Sequence, residues 1–186
     1  MPSHARVLSS KTLYRGRVFQ LKRDRIVEPG NITATREVVE HAGSVVVMPF
    51  LPNGNVILIR QFRYPARGPL WELVAGSLEP GESVIQGARR ELLEETGYRA
   101  RRIRPMLSFY SSPGFLTERM HLVEARELTF SKANPESDER IEVREFSHSQ
   151  VRKLLRDKKI QDGKTLVGLL WNSFARKPQG ARNAIM

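Results

Sequence analysis

Two segments, SVVVMPF (residues 44–50) and NVILIRQF (55–62), limit the possible folds most. Each holds a continuous apolar, largely β-branched run, so neither has a polar face to offer water. Such runs read as strands buried on both faces, at the centre of a sheet. The linker LPNGN carries Asn53-Gly54, the strongest short hairpin signal, and the expectation is that the two strands pair through it. WELVAG, RPMLSFY, RMHLVEAREL and IEVREF add further strands. Ser83–Thr96 has an inward stripe of Val84, Ala88, Leu92 and Leu93 and reads as a helix. SHSQVRKLLRD begins another with a capping box at Ser147 and Gln150, and DGKTLVGLLWNSFAR a third. The expectation is an α/β fold, a mixed sheet with helices on its faces.

The first forty residues differ in character. RGRVFQLKRDRIV and ITATREVVE read as strands around an EPGN turn, with much charge and few large apolar groups. They need another surface to pack on, such as a second subunit. The division expected is a small antiparallel β module at 1–41 that dimerises the chain, a main domain at 42–178 and a frayed tail at 179–186. Trp71 and Trp171 sit in apolar patterns and are expected in the core. His4, His41, His121 and His148 show no metal-ligand spacing and are expected in ordinary polar roles.

Composition narrows the function. Among 186 residues there is no apolar run near the roughly 20 that a membrane span needs. MPSHARVLSSK lacks an apolar core of the secretory kind, and there is no cysteine, so a cytoplasmic home and no thiolate metal site are expected. The formal net charge of +11 suits anionic partners. Against nucleic acid, the basic residues are not interleaved with aromatic platforms, and no recognition helix stands out. An RNA-binding or RNA-processing protein is therefore the rival of a different class. Acid concentrates between Glu72 and Glu95, with six Glu against two Arg.

RELLEETG (90–97) closes the first helix, and Gly97 supplies its stop. Glu91, Glu94 and Glu95 crowd the end of the helix that carries partial negative charge, where cations are favoured. Glu91 and Glu95, four apart, share a face and repel. Hard divalent cations reverse that cost, since Mg2+ takes oxygen ligands, keeps several waters and is shared with phosphates. Arg90 can fix a Glu by a forked ion pair, and Gly76 and Gly81 allow tight backbone turns.

The full run GSLEPGESVIQGARRELLEETGY matches, in spacing, the Gly-x5-Glu-x7-Arg-Glu-U-x-Glu-Glu-x-Gly-U box of the Nudix hydrolases, where U is a bulky aliphatic residue. Tyr98 at the last U is the one departure, at a packing position. RQFRYP, WELVAG, LSFYSSPGFLTER and Pro113, sixteen residues beyond Gly97, resemble the ADP-ribose pyrophosphatase branch. The resemblance implies a Nudix α/β/α sandwich and Mg2+-dependent hydrolysis, with Mn2+ as a substitute, of ADP-ribose to AMP and ribose 5-phosphate. Another nucleoside diphosphate sugar such as GDP-mannose, or a dinucleotide, stays open as substrate. A non-catalytic sensor is disfavoured by the intact box.

Residue by residue, the resemblance implies Glu91, Glu95 and the Ala75 carbonyl as principal metal ligands, with Glu94 auxiliary. It places Arg63 on the diphosphate, Glu118 near the sugars and Pro113 at the substrate. In NPESDER it implies Glu139 as a metal ligand, while Glu136 and Glu139 both stay open as the base. It also implies a homodimer in which the N-terminal module clamps adenine, with Phe19 and Arg36 as candidates.

Overall fold

The computed structural model describes residues 4–131 and 140–175. Its strands are β1 (Arg6–Arg15), β2 (Gln20–Glu28), β3 (Ile32–Glu40), β4 (Ser44–Pro49), β5 (Val56–Arg63), β6 (Gly68–Glu72), β7 (Val74–Ser77), β8 (Tyr98–Tyr110), β9 (Arg119–Phe130) and β10 (Ile141–Phe146). Its helices are α1 (Val84–Thr96), α2 (His148–Arg156) and α3 (Gly163–Ala175). Three sheets form, in the orders β1-β2-β3, β10-β5-β6 and β7-β4-β9-β8. Among the described strands β4 and β9 pair in parallel and the other paired strands are antiparallel, so the last sheet is mixed.

β4 and β5 are buried as their apolar runs demand, and each is flanked on both sides within its sheet. They do not pair as a hairpin. Beyond the Phe50–Val56 bridge and the bond from Leu51 N–H to the Asn55 carbonyl, they diverge into different sheets. The Asn-Gly turn is real, with Gly54 at φ +84°. Each strand, however, needs hydrogen-bonded neighbours on both edges, and β9 with β7, or β10 with β6, supply them. The local turn signal was outvoted by these long-range partners.

Alternation along β4 divides the core. Val45 and Val47 face a cluster with Ala88 and Leu92 of α1 and Val123 and Ala125 of β9. Val46 and Met48 face the opposite cluster, with Phe146, Val151 and Leu169, under α2 and α3. One helix on one side and two on the other give the α/β/α sandwich. α1 begins on a capping box between Ser83 and Gln86 and ends on Gly97, whose φ of +73° makes the left-handed stop. α2 has the expected box at Ser147 and Gln150. Trp71 packs edge-on against Phe146 beside the core. Trp171 is 43% exposed and is not a core residue. The inward face of α3 carries instead Gly168, where a Cβ would meet Leu73 and Met48, and Leu169, which lies in the core cluster with both.

The N-terminal antiparallel sheet is present, with β1 as a further strand before those expected. It joins the main domain where Val39 of β3 exchanges backbone hydrogen bonds with Phe115 and Thr117. β1 is exposed along its whole length, Val7 and Leu8 included.

Candidate active site

α1 packs on β7, and the acidic end of the helix meets the strand where side chains are smallest. At Gly76 a Cβ would stand 1.8 Å from Glu91 Oε1. Gly76 therefore serves here by having no side chain, within a strand, and not as a turn residue. Glu91 is 9% exposed and Glu95 3%. Glu95 Oε2 accepts from the Ala75 N–H at 3.2 Å, which ties helix to strand beside the carbonyl expected to face an ion.

Arg90 organises this acidic group. Its Nε and Nη2 fork onto Glu82, both at 2.9 Å, its Nη1 reaches Glu91 at 2.6 Å and Glu94 at 3.2 Å, and Nη2 also donates to the Ser77 carbonyl at 3.0 Å. The pKa of Arg90 is raised, chiefly by Glu82 and then Glu91 against the opposing effect of burial. One guanidinium thus offsets part of the repulsion at the helix end. Arg90 and a bound cation would therefore share the work of offsetting the charge at this helix end.

Does the donor set suit a hard cation? Glu91, Glu94 and Glu95 all offer carboxylate oxygens to one cavity, and Gly76 makes room for one of them. That is the chemistry Mg2+ takes. As placed, no group of three acidic or histidine side chains among the described residues is arranged around one point. Glu91 and Glu94 both turn to Arg90 instead, so an ion here would draw on water ligands or on a carboxylate released by Arg90.

The cavity, of about 1050 Å3, is lined by these acids, by Arg63 and His41, and by the β1–β2 turn with Phe19. Arg63 does not present its forked edge. Its Nε and Nη2 bind Glu72 at 2.8 and 2.9 Å, leaving three of five N–H donors for a ligand. Glu72 was missed in the sequence, although a carboxylate inside the apolar run WELVAG was a signal. It is 1% exposed and also accepts from Lys164. Burial pushes its pKa up, but Arg63 and Lys164 outweigh this and hold it below the ordinary value; Arg63 is raised in turn, chiefly by Glu72.

His41 was also passed over. It lines the cavity, its Nδ1 accepts from the Gly43 N–H at 3.0 Å, and Nε2 lies 3.3 Å from Ser77 Oγ. Glu118 stands beside it, accepting from Ser44 Oγ at 2.6 Å, and is not itself in the cavity lining. Pro113 is exposed and outside the lining as well. Arg36 pairs with Glu28 at 2.7 Å on the N-terminal sheet and does not reach the cavity of its own chain. Glu136 and Glu139 lie outside the described residues.

Glu82 is likewise held below the ordinary carboxylate value, first by Arg90, with burial opposing. For groups lowered in the fold, the stabilisation is complete above the unfolded value, about 4.5, and is lost as pH falls through the lower folded value. Melting temperature should therefore drop more steeply below about pH 4.5 in the parent than in Glu72→Gln. Parallel acid profiles for the two proteins would contradict this.

The chain belongs to the Nudix family: the NUDIX domain model matches residues 33–167. It is similar to the ADP-ribose pyrophosphatase of Bacillus subtilis (strain 168), at 35% identity over 162 residues, 86% of this chain and 88% of that one. Similarity to the ADP-ribose pyrophosphatase of Escherichia coli (strain K12) is 34% over 181 residues, covering 89% and 86%. To the GDP-mannose pyrophosphatase of Pectobacterium atrosepticum it is 35% over 172 residues, covering 86% and 85%. A crystal structure of an ADP compounds hydrolase superposes with a TM-score of 0.80 at 22% identity, over 95% of this chain and 96% of that one, which shows the shared fold.

Proposed function

We propose that this protein is a Mg2+-dependent pyrophosphatase that hydrolyses the diphosphate of ADP-ribose to AMP and ribose 5-phosphate. The observation that carries the reading is one cavity shared by the acidic end of α1, the Arg63 guanidinium and the Phe19 turn. Its volume lies at the upper end of that of small-molecule clefts, and its lining pairs oxygen ligands with a phosphate-seeking cation. The likeness to ADP-ribose pyrophosphatases over most of the chain supports the substrate.

Glu91, Glu95 and the Ala75 carbonyl would hold the ion, with Glu94 auxiliary and Glu139 contributing. When bound, Mg2+ or Mn2+ neutralises diphosphate charge and makes a water more acidic. The remaining Arg63 donors fix two diphosphate oxygens. Glu136 or Glu139 takes the proton of the attacking water, and Phe19 offers a stacking face to adenine. Glu118, Pro113 and Arg36 complete the reading, Arg36 together with Phe19 in a homodimer whose 1–41 modules meet the other copy; the exposed apolar residues of β1 support that assembly. Residues 42–178 form the hydrolase domain. A cytoplasmic location, motivated by the cysteine-free chain, belongs to the same reading.

GDP-mannose is the second reading, favoured by the 35% identity to the Pectobacterium enzyme. An assay of ADP-ribose, GDP-mannose and diadenosine compounds, with and without Mg2+, tests both. The expected result is AMP from ADP-ribose only with metal, from a particle of twice the 21.3 kDa chain mass by light scattering. Preferred cleavage of GDP-mannose selects the second reading, and no hydrolysis of any of them sinks both. A strict monomer removes the dimer.

A further inference from the structure

We propose that Glu72 is a positioning residue, a buried carboxylate that aims the Arg63 guanidinium into the cavity and is itself locked from behind by the first turn of α3. The proposal rests on the substrate-binding reading of Arg63 given above.

Glu72 and Arg63 come from neighbouring strands, β6 and β5, at opposite ends of their pairing, Glu72 opposite Ile59 and Arg63 opposite Gly68, so the two side chains reach along the ladder to meet. Two parallel hydrogen bonds fix both the distance and the plane of a guanidinium, which one bond does not do. With Nε and Nη2 so engaged, the donors left to Arg63 lie along its outer edge. The carboxylate in turn has little freedom. Oε2 also receives Lys164 Nζ, and that ammonium lies 3.0 Å from Asp162 Oδ1. Asp162 Oδ2 accepts from the Thr165 N–H at 3.0 Å and from its hydroxyl at 2.5 Å, while Thr165 Oγ1 accepts from the Leu73 N–H at 2.8 Å. The chain of contacts returns to the residue beside Glu72.

The four charged groups balance, Arg63 and Lys164 against Glu72 and Asp162. A pair needed only for stability would be served by one cation, and Lys164 is already the more buried partner, with an 11% exposed side chain against 37% for Arg63. The partly open Arg63 contributes less to stability through this pair than a fully buried cation would. Its fork gains a use if the outer edge must meet an anion in one orientation.

The test is a double-mutant cycle with ADP-ribose and Mg2+, using Arg63→Ala, Glu72→Gln, their combination, and Lys164→Met. Glu72→Gln should lower kcat/KM by roughly tenfold to a hundredfold, close to the loss in Arg63→Ala, and the double variant should be no worse than Arg63→Ala alone. Lys164→Met keeps both bonds to Arg63 but removes one contact that holds the carboxylate, so it should melt earlier and lose less kcat/KM than Glu72→Gln does. If Glu72→Gln does not fold, Glu72→Asp retains charge while shortening the arm, and the same direction of loss is expected. A folded Glu72 variant with parent kcat/KM overturns the proposal, as do losses that multiply in the double. An unaltered kcat/KM in Arg63→Ala overturns the Arg63 reading instead, and with it this inference.

Discussion

Glu95→Gln should lower kcat about a thousandfold, the rate equivalent of about 4 kcal/mol, while the protein stays folded. The geometry separates the two effects. Glu95 is 3% exposed, and one of its oxygens accepts the Ala75 N–H. A glutamine has nearly the same shape and can accept that bond through its amide oxygen. What it loses is a negative charge among Glu91 and Glu94 at the negative end of a helix dipole. Removing a like charge there relieves repulsion, so melting temperature without metal should be unchanged or raised. Hard cations bind neutral amides more weakly than carboxylates, so Mn2+ affinity by calorimetry should fall in the same variant. Near-parent kcat at saturating metal would remove Glu95 from the ligand set. A lowered melting temperature without metal would show instead that its charge stabilises the fold.

Much of the architecture was legible because local and global demands agreed. The start of α2 follows from its Ser-x-x-Gln box and the end of α1 from a terminal glycine, both of which act within a few residues. The double burial of β4 and β5 follows from their apolar runs. Their pairing did not, because a turn signal states only that the chain reverses. Which edge each strand then uses depends on β9 and β10, tens of residues away. Trp171 failed for a related reason. Apolar periodicity marks a helix face, but a 13-residue helix with several apolar positions offers more than one, and close packing chose the side of Gly168.

The site divides similarly. Glu91, Glu94 and Glu95 stand out by spacing and Arg63 by the resemblance alone, and the structure brings all four to one cavity. Spacing says nothing of how Arg90 shares itself among Glu82, Glu91 and Glu94, since that depends on rotamers and on the Ser77 carbonyl. Glu72 and His41 escaped because each looked ordinary in sequence. Their importance is tertiary: one is buried under two cations, the other bridges Gly43 and Ser77 at the cavity wall. Conversely, Arg36 and Glu118 already have partners within their own chain, Glu28 and Ser44, so a substrate role asks each to work alongside or exchange those bonds.

Gly76→Ala is the second large effect expected, and it follows from distances alone. The added methyl would lie 1.8 Å from Glu91 Oε1 and 2.1 Å from its Cδ, far inside contact distance. β7 cannot easily withdraw, because Gly76 is paired with Val45 in the register of a fully buried strand. The carboxylate must move instead, and with it the bond from Arg90 at 2.6 Å. Overpacking of this kind costs about 1–3 kcal/mol, so the variant should fold with a lower melting temperature. Activity should fall further than stability suggests, by about a hundredfold, because a ligand displaced by an ångström no longer serves the reacting geometry. Combining Gly76→Ala with Glu91→Asp shortens the obstructing arm by one methylene. That double variant should recover melting temperature yet not activity, since the aspartate cannot reach as far. If Gly76→Ala keeps parent kcat and melting temperature, the close approach of Glu91 to β7 is not a feature of the working enzyme. Recovery of both quantities in the double variant would mean that the methyl acts by crowding alone and that the reach of Glu91 is not required.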